Sequence, residues 1–360
     1  MITSHLPRAR HSVPNLVVAQ RVLDNMAAAA SRYLADETGE AMVGLLVPGT
    51  RTNGVPTLYV LDTIAPDDTA VRLLHTFQQG DERQDELIWW LQENWRSFRD
   101  KRRTPDGRPL ATKWDVPLRY LGDWHKQPGF MIQPSQGDLM TAHNWIADPD
   151  NGMDFLLAPI VTLGHPSTTA AAGHGANYLT VPQGDDTCLR VDFWYLERDS
   201  RDFLPIVPAV YPNDQLPALP GYPWHLVNEA RFRDEHRLLQ QDGLFTGLVL
   251  WDATDNAALD ICLLTARLGA DRLLILVTPW NYPQAPPSAR IAPFHGLAPD
   301  ADMYAAFQAA WAESKPVADP PGWTWSEGRR LLDYLYALED ALGIARPAPP
   351  GGQAEPEDTP

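Results

Sequence analysis

Between Leu16 and Leu34 apolar residues recur at helical spacing through an alanine-dense stretch, which predicts a first helix. Two β-rich runs follow, "AMVGLLVPG" and "TLYVLDTIAPD", and the Gly and Pro that break them predict a hairpin. In "DERQDELIWWLQENWRSFRD" (81–100) Leu87, Trp90, Leu91 and Trp95 share one helical face, which predicts a second helix. Residues 101–115 are polar and contain Pro-Asp-Gly, a loop signal. "PLRYLGDWH" then predicts a strand, and "GDLMTAHNWIAD" a helix that starts beside Ser135 and Asp138. "DFLLAPIVTLG" and "LRVDFWYLER" predict further strands, separated by the Gly/Ala loop "HPSTTAAAGHGAN". Residues 1–202 therefore read as an α/β sandwich, with helices around a mixed sheet.

From 203 to 224 the chain is dense in proline and reads as a semi-rigid linker. Periodic patterns resume at 225. "NEARFRDEHRLLQQ" predicts a helix, and "FTGLVLWDA", "LDICLLTARLG" and "RLLILVTPW" predict an antiparallel meander. "WSEGRRLLDYLYALEDALG" predicts a closing helix whose "WSEGRR" start resembles an N-cap. Residues 225–343 thus form a second α+β domain, and the Pro/Gly/acid-rich stretch 344–360 reads as a disordered tail.

The formal net charge of −17 opposes binding through a phosphate backbone, so no nucleic-acid partner is expected. The basic run "RSFRDKRR" (96–103) reads as a solvated helix end. Cys188 and Cys262 are too few and too far apart for a disulfide framework or a cysteine zinc cage. A reducing compartment fits them. With no long apolar run and no apolar core near the N-terminus, the expectation is a cytoplasmic protein without a membrane partner.

The stretch with most chemistry is "YLGDWHKQPGFMIQPSQGD" (120–138). A hydrolytic zinc site needs two or three nitrogen or oxygen ligands, an open position for water and a nearby base. Side chains two apart on an extended segment point the same way, and a carboxylate from the next helix can join them. Ser and Asp here are also good helix caps, which is the plainer reading of the same residues.

The stretch reads His125-Lys126-Gln127-Pro128, six residues, Ser135, two residues, Asp138. It resembles the JAMM metalloprotease motif of JAB/MPN domains, His-x-His-Pro-x6-Ser-x2-Asp with an upstream Glu, and departs from it at Gln127. The resemblance covers residues 1–202. It implies that His125 and Asp138 bind zinc, with Gln127 at the position of the missing imidazole. It also implies that Ser135 polarises the tetrahedral intermediate and that a Glu in "ETGEAMVGLL" is the base, Glu40 by its offset or Glu37 as the fallback. His143, His165 or His174 could stand in for the absent ligand.

"YPQAPP" (282–287), after a meander with a helix before it, resembles the ubiquitin-conjugating-enzyme/RWD fold. A conjugating enzyme needs a cysteine after that motif. No Cys follows Cys262, which sits in an apolar run and reads as buried structure. The pair of resemblances implies a zinc-dependent peptidase or isopeptidase acting on a ubiquitin-like modifier or its conjugates, in a prokaryotic pathway that supplies activating and conjugating enzymes as further partners. The alternative they leave open is a catalytically silent scaffold.

Overall fold

The first apolar stretch divides at Ala19. Its valine-rich start forms a strand, β1 (Asn15–Ala19), because β-branched Val17 and Val18 fit a pleated sheet and pair with a neighbour. Only the remainder is helical, as α1 (Gln20–Arg32), which buries Val22, Leu23, Met26 and Ala30. The computed structural model describes residues 13–50, 54–79, 82–169, 175–184, 186–253, 259–267, 269–294, 296 and 302–346. The chain divides into two units, Met1–Pro220 and Gly221–Pro360.

The expected hairpin is β2 (Gly39–Val47) and β3 (Thr57–Ile64). A short hairpin follows, β4 (Val71–Leu73) and β5 (Thr76–Gln78), and then α2 (Glu82–Asp100), which buries Leu87, Trp90, Leu91 and Trp95. Next come β6 (Leu118–Lys126) and α3 (Gln136–Ala147). The run expected as one strand at 154–164 is two, β7 (Phe155–Leu157) and β8 (Ile160–Pro166), interrupted at Pro159, whose missing N–H cannot serve a ladder. A strand not foreseen, β9 (Tyr178–Gly184), precedes β10 (Thr187–Asp192) and β11 (Trp194–Glu197).

Residues 203–220 are not a linker. They hold β12 (Leu204–Pro205) and β13 (Pro208–Tyr211), and β13 pairs in parallel with β1. Proline is compatible with this because β13 is an edge strand and Pro208 is its first residue. Among the described residues the main sheet has the order β13-β1-β3-β2-β6-β8-β10-β9, with β7, β11 and β12 in a second small sheet. β1 is parallel to both its neighbours and β6 is parallel to β8, so the sheet is mixed. α1 and α2 pack against it, and α3 sits on β7 through Ala142, Ile146 and Leu156.

The second unit begins with α4 (Trp224–Val227) and α5 (Glu229–Gln241). The meander appears as β14 (Leu244–Trp251), β15 (Asp260–Arg267) and β16 (Arg272–Thr278), extended by β17 (Ser288–Pro293) and, after α6 (Met303–Glu313), by β18 (Lys315–Val317). All neighbours are antiparallel. The closing helix α7 (Leu331–Leu342) starts six residues later than Trp325, because the Asp333 carboxylate accepts from Arg330 N at 2.8 Å and caps it there. Of the tail, residues 347–360 lie outside the described residues. No helix among the described residues is long and apolar enough to cross a membrane.

Glu235 of α5 is fully buried, and its carboxylate gathers three elements. It accepts from Arg231 Nε at 2.6 Å, Tyr282 Oη at 2.6 Å and Leu331 N at 2.9 Å. Glu235→Ala leaves the Arg231 guanidinium, whose side chain is 9% exposed, without its counter-charge, and urea denaturation of the full chain should record a loss of about 3–5 kcal/mol. A second expectation concerns the unit boundary. A chain ending at Pro220 should unfold cooperatively, whereas one ending at Asp202 loses β13 and exposes the edge of β1. Equal urea midpoints for the two would return 203–220 to the role of linker.

Candidate functional site

β6 lies between β2 and β8 in the main sheet, and its last residues deliver His125 and Lys126 to the sheet's rim. The chain passes through Gln127 and Pro128 and reaches α3, whose N-cap is Ser135. Ser135 Oγ accepts from Asp138 N at 3.2 Å, and Asp138 Oδ2 accepts from Ser135 N at 2.6 Å, a reciprocal capping box. The cap does two things at once. It starts the helix, and it turns the Asp138 carboxylate toward the end of β6.

Three of the residues singled out by the motif meet there. Gln127 Nε2 donates to Asp138 Oδ2 at 3.2 Å and lies 3.2 Å from His125 Nε2. His125 Nε2 is 3.7 Å from Asp138 Oδ1. Burial pushes the His125 pKa down while the Asp138 charge pulls it up, leaving a neutral imidazole at neutral pH that can accept from the amide. Gln127 is 5% exposed and its Oε1, also buried, has no hydrogen-bond partner. Turning the amide over would set Oε1 against the Asp138 carboxylate, so the nitrogen faces inward and the oxygen is left without a donor.

Tested as a zinc site, this donor set falls short. One imidazole and one carboxylate are suitable ligands, but the third group presents an NH2, whose nitrogen has no lone pair free for a metal. No group of three or more His, Cys, Asp or Glu among the described residues is arranged to hold a metal. Of the possible substitutes, the described ones do not join it: His165 pairs with Thr162 Oγ1 at 2.7 Å and packs edge-on against Phe130, and His143 is carried by α3 without forming a three-ligand group. His174 lies outside the described residues.

The upstream acids separate. Paired residues on antiparallel strands share a face, and successive residues alternate. Gly39 pairs with His125 and Glu40 with Trp124, so Glu40 points to the face opposite His125. There it is 8% exposed and accepts from Trp124 Nε1 at 3.4 Å; burial raises its pKa, opposed by hydrogen bonds from Thr63 and Trp124. Gly39 is required beside His125, since a Cβ would come within 2.2 Å of Trp124 O and 2.6 Å of the Phe77 ring.

Glu37 is the acid on the site's side. Lys126 N donates to Thr38 O at 2.7 Å, which continues the β2–β6 register toward the N-terminus and brings Glu37 to Gln127. Glu37, Lys126, Gln127 and Pro128 line one cleft of about 260 Å³. Lys126 Nζ is tied to the carbonyls of Tyr33 and Leu34, which holds the α1–β2 connection against the end of β6. Burial, and then the Asp138 charge, push the Glu37 carboxyl up to about 7, with Lys126 opposing. Counting register back from the motif strand, instead of offset from the "GLL" run, is the signal that identifies Glu37.

No family model matches the chain, and no curated protein matches it. The solution structure of protein DSY2949 from Desulfitobacterium hafniense is similar to it at 15% identity, over 55% of this chain and 96% of that one, with a TM-score of 0.29.

The raised Glu37 carboxyl has a consequence for stability. Its folded pKa of about 7 lies above the unfolded value, so the folded state holds the proton more tightly. The contribution is full below the unfolded pKa and is lost as pH rises through about 7. Glu37→Gln removes this dependence. Between about pH 5 and about pH 8 the urea midpoint of the wild type should fall more than that of the variant. Parallel profiles would show that Glu37 titrates normally.

Proposed function

We propose that the chain is a non-catalytic, two-unit binding protein in a pathway that attaches or removes a ubiquitin-like modifier. One observation carries this reading: the Gln127 amide nitrogen is placed between His125 and Asp138, where it satisfies the two residues otherwise suited to a metal. The JAMM-like motif then survives as a structural knot. Ser135 and Asp138 cap α3, and Gln127 closes the end of β6 against that cap. The partner is a ubiquitin-like modifier or a modifier-conjugated protein, with the activating or conjugating enzymes as further candidates.

The second unit supports the same reading. Cys262 is fully buried in β15, and burial, with the nearby Asp260 charge, raises its thiol pKa far above neutral, so it is not a nucleophile. A second reading, a zinc-dependent isopeptidase on the same modifier, is favoured by Glu37. A carboxyl with a pKa of about 7 in a cleft is matched to general-base work at neutral pH.

Metal content separates the two. The wild-type chain, after dialysis against a chelator and back into zinc, should carry well under one zinc by elemental analysis. Gln127→His should restore the ligand set and gain zinc, with affinity raised about tenfold or more. One tightly held zinc per wild-type chain, with cleavage of a modifier conjugate that Glu37→Gln abolishes, would establish the enzyme and remove the scaffold reading.

A further inference from the structure

Basic residues crowd one place in an acidic chain. Residues 96–119 hold eight of its 29 Lys and Arg but only three of its 46 Asp and Glu, while the whole carries a formal net charge of −17. Arg99, in the last turn of α2, is accounted for by the negative end of the helix. The residues after it are not. Arg102 N donates to Arg99 O and Arg103 N to Phe98 O, both at 2.9 Å, the paired bonds of a Schellman end. Such an end favours Gly in its left-handed position and an apolar residue next, packed back on the helix. Here the left-handed residue is Arg102, at φ 51°, and the next is Arg103. Both side chains are exposed, that of Arg102 by 73%. Two arginines thus stand where the helix end alone selects glycine and a hydrophobe.

The loop brings a third beside them. Leu110 N donates to Arg102 O at 3.0 Å and Thr104 N to Arg108 O at 2.8 Å, so 102–110 closes as a hairpin-like turn. Its base is fixed to α2: the Asp115 carboxylate lies 3.2 Å from Arg99 Nε and 3.4 Å from Arg102 Nη1, and Trp95 Nε1 donates to Val116 O at 2.8 Å. Arg103 has no ion pair among the described residues. Arg108 pairs only with exposed Asp106 two residues away, a surface pair of the kind that contributes little and yields to a better carboxylate. The backbone is held, and the charges it carries are left in solvent.

We propose that this end of α2, with Arg102, Arg103 and Arg108 at its centre, is a docking surface for an acidic segment of a partner protein, a short run of Asp and Glu side chains. A guanidinium takes a carboxylate through two parallel N–H donors, so arginine on a fixed backbone suits such a partner better than lysine. Charge complementarity also limits what can bind. A nucleic acid or an anionic bilayer extends beyond the patch and meets the acidic remainder of the chain, whereas a few carboxylates meet the patch alone. The inference uses no residue of the motif, so it goes beyond the reading above and holds for a binding protein and an enzyme alike.

The test is fluorescence anisotropy with the full chain and a fluorescein-labelled hexaglutamate peptide. A dissociation constant on the order of 100 μM is expected at about 20 mM salt, weakening about fivefold at about 150 mM as screening shortens the reach of the charges. Hexaglutamine should not bind. Arg103→Glu combined with Arg108→Glu should weaken hexaglutamate about tenfold or more at an unchanged urea midpoint, since both side chains are exposed. Arg102→Gly separates docking from structure: it should raise the urea midpoint, because glycine relieves the left-handed backbone, while weakening the peptide about threefold. Unchanged binding in the double variant, or no binding by the wild type at about 20 mM salt, would reduce the patch to a solvated helix end and overturn the proposal. Tighter binding of a six-nucleotide oligothymidylate than of hexaglutamate would assign the surface to nucleic acid and overturn it too. Glu355→Gln, Glu357→Gln and Asp358→Asn together should leave the affinity as it was; a gain of about tenfold would place the chain's own acidic stretch on the patch and overturn the partner.

Discussion

The register of β2 on β6 decides what the candidate site contains. Gly39 pairs with His125 and Glu40 with Trp124, and a strand's side chains alternate, so one residue of offset separates an acid on the site's face from one behind the sheet. Gly39 makes that register possible, because a side chain there would strike the Trp124 carbonyl and the Phe77 ring of the β4–β5 hairpin. The hairpin is held in turn by Glu37 N, which donates to Leu73 O at 2.8 Å, and by Arg72 over the Tyr33 ring. Wall, floor and acid of the cleft therefore depend on one pairing.

The second dependence is on the helix cap. A helix beginning with Ser-x-x-Asp satisfies its first amides internally, and here the same aspartate reaches back to the strand end through Gln127. Histidine at position 127 could place a ring nitrogen there. Glutamine places an NH2, which joins imidazole and carboxylate by hydrogen bonds but leaves its own oxygen buried and unpartnered. Such an oxygen costs about 1–3 kcal/mol. That cost is tolerated where the surrounding packing supplies stability to spare, as the cap and the strand end do here.

How far these features could be read from residues alone varies with the range of the forces involved. The helix at 82–100, the β2–β3 hairpin and the meander were legible because their signals are local: one apolar face, or alternation bounded by Gly and Pro. The α3 cap was equally local, and Ser135 and Asp138 pair within one turn. β13 was hidden by its prolines. Proline reads as linker unless its place on a sheet edge is known, and edge position is a long-range property, here a pairing across almost two hundred residues to β1. The choice between Glu37 and Glu40 was hidden for the same reason, since β2 and β6 lie some eighty residues apart.

Cys262 and Glu235 show how the second unit spends its buried polar atoms. The thiol lies in a sheet flanked by Val249 and Val277, with the aromatic face of α6 contributing Phe307 to the same core. Burial there makes it a packing atom and removes it from chemistry. Glu235 is as deeply buried, but Arg231, Tyr282 and Leu331 N surround it, so its charge becomes a joint between α5, the turn after β16 and the start of α7. A buried carboxylate satisfied by three donors holds a geometry, as Glu235 does here. Glu37 is only half-buried, and its carboxyl is pushed up by that burial and then by the Asp138 charge, so it answers to pH where Glu235 answers to its partners.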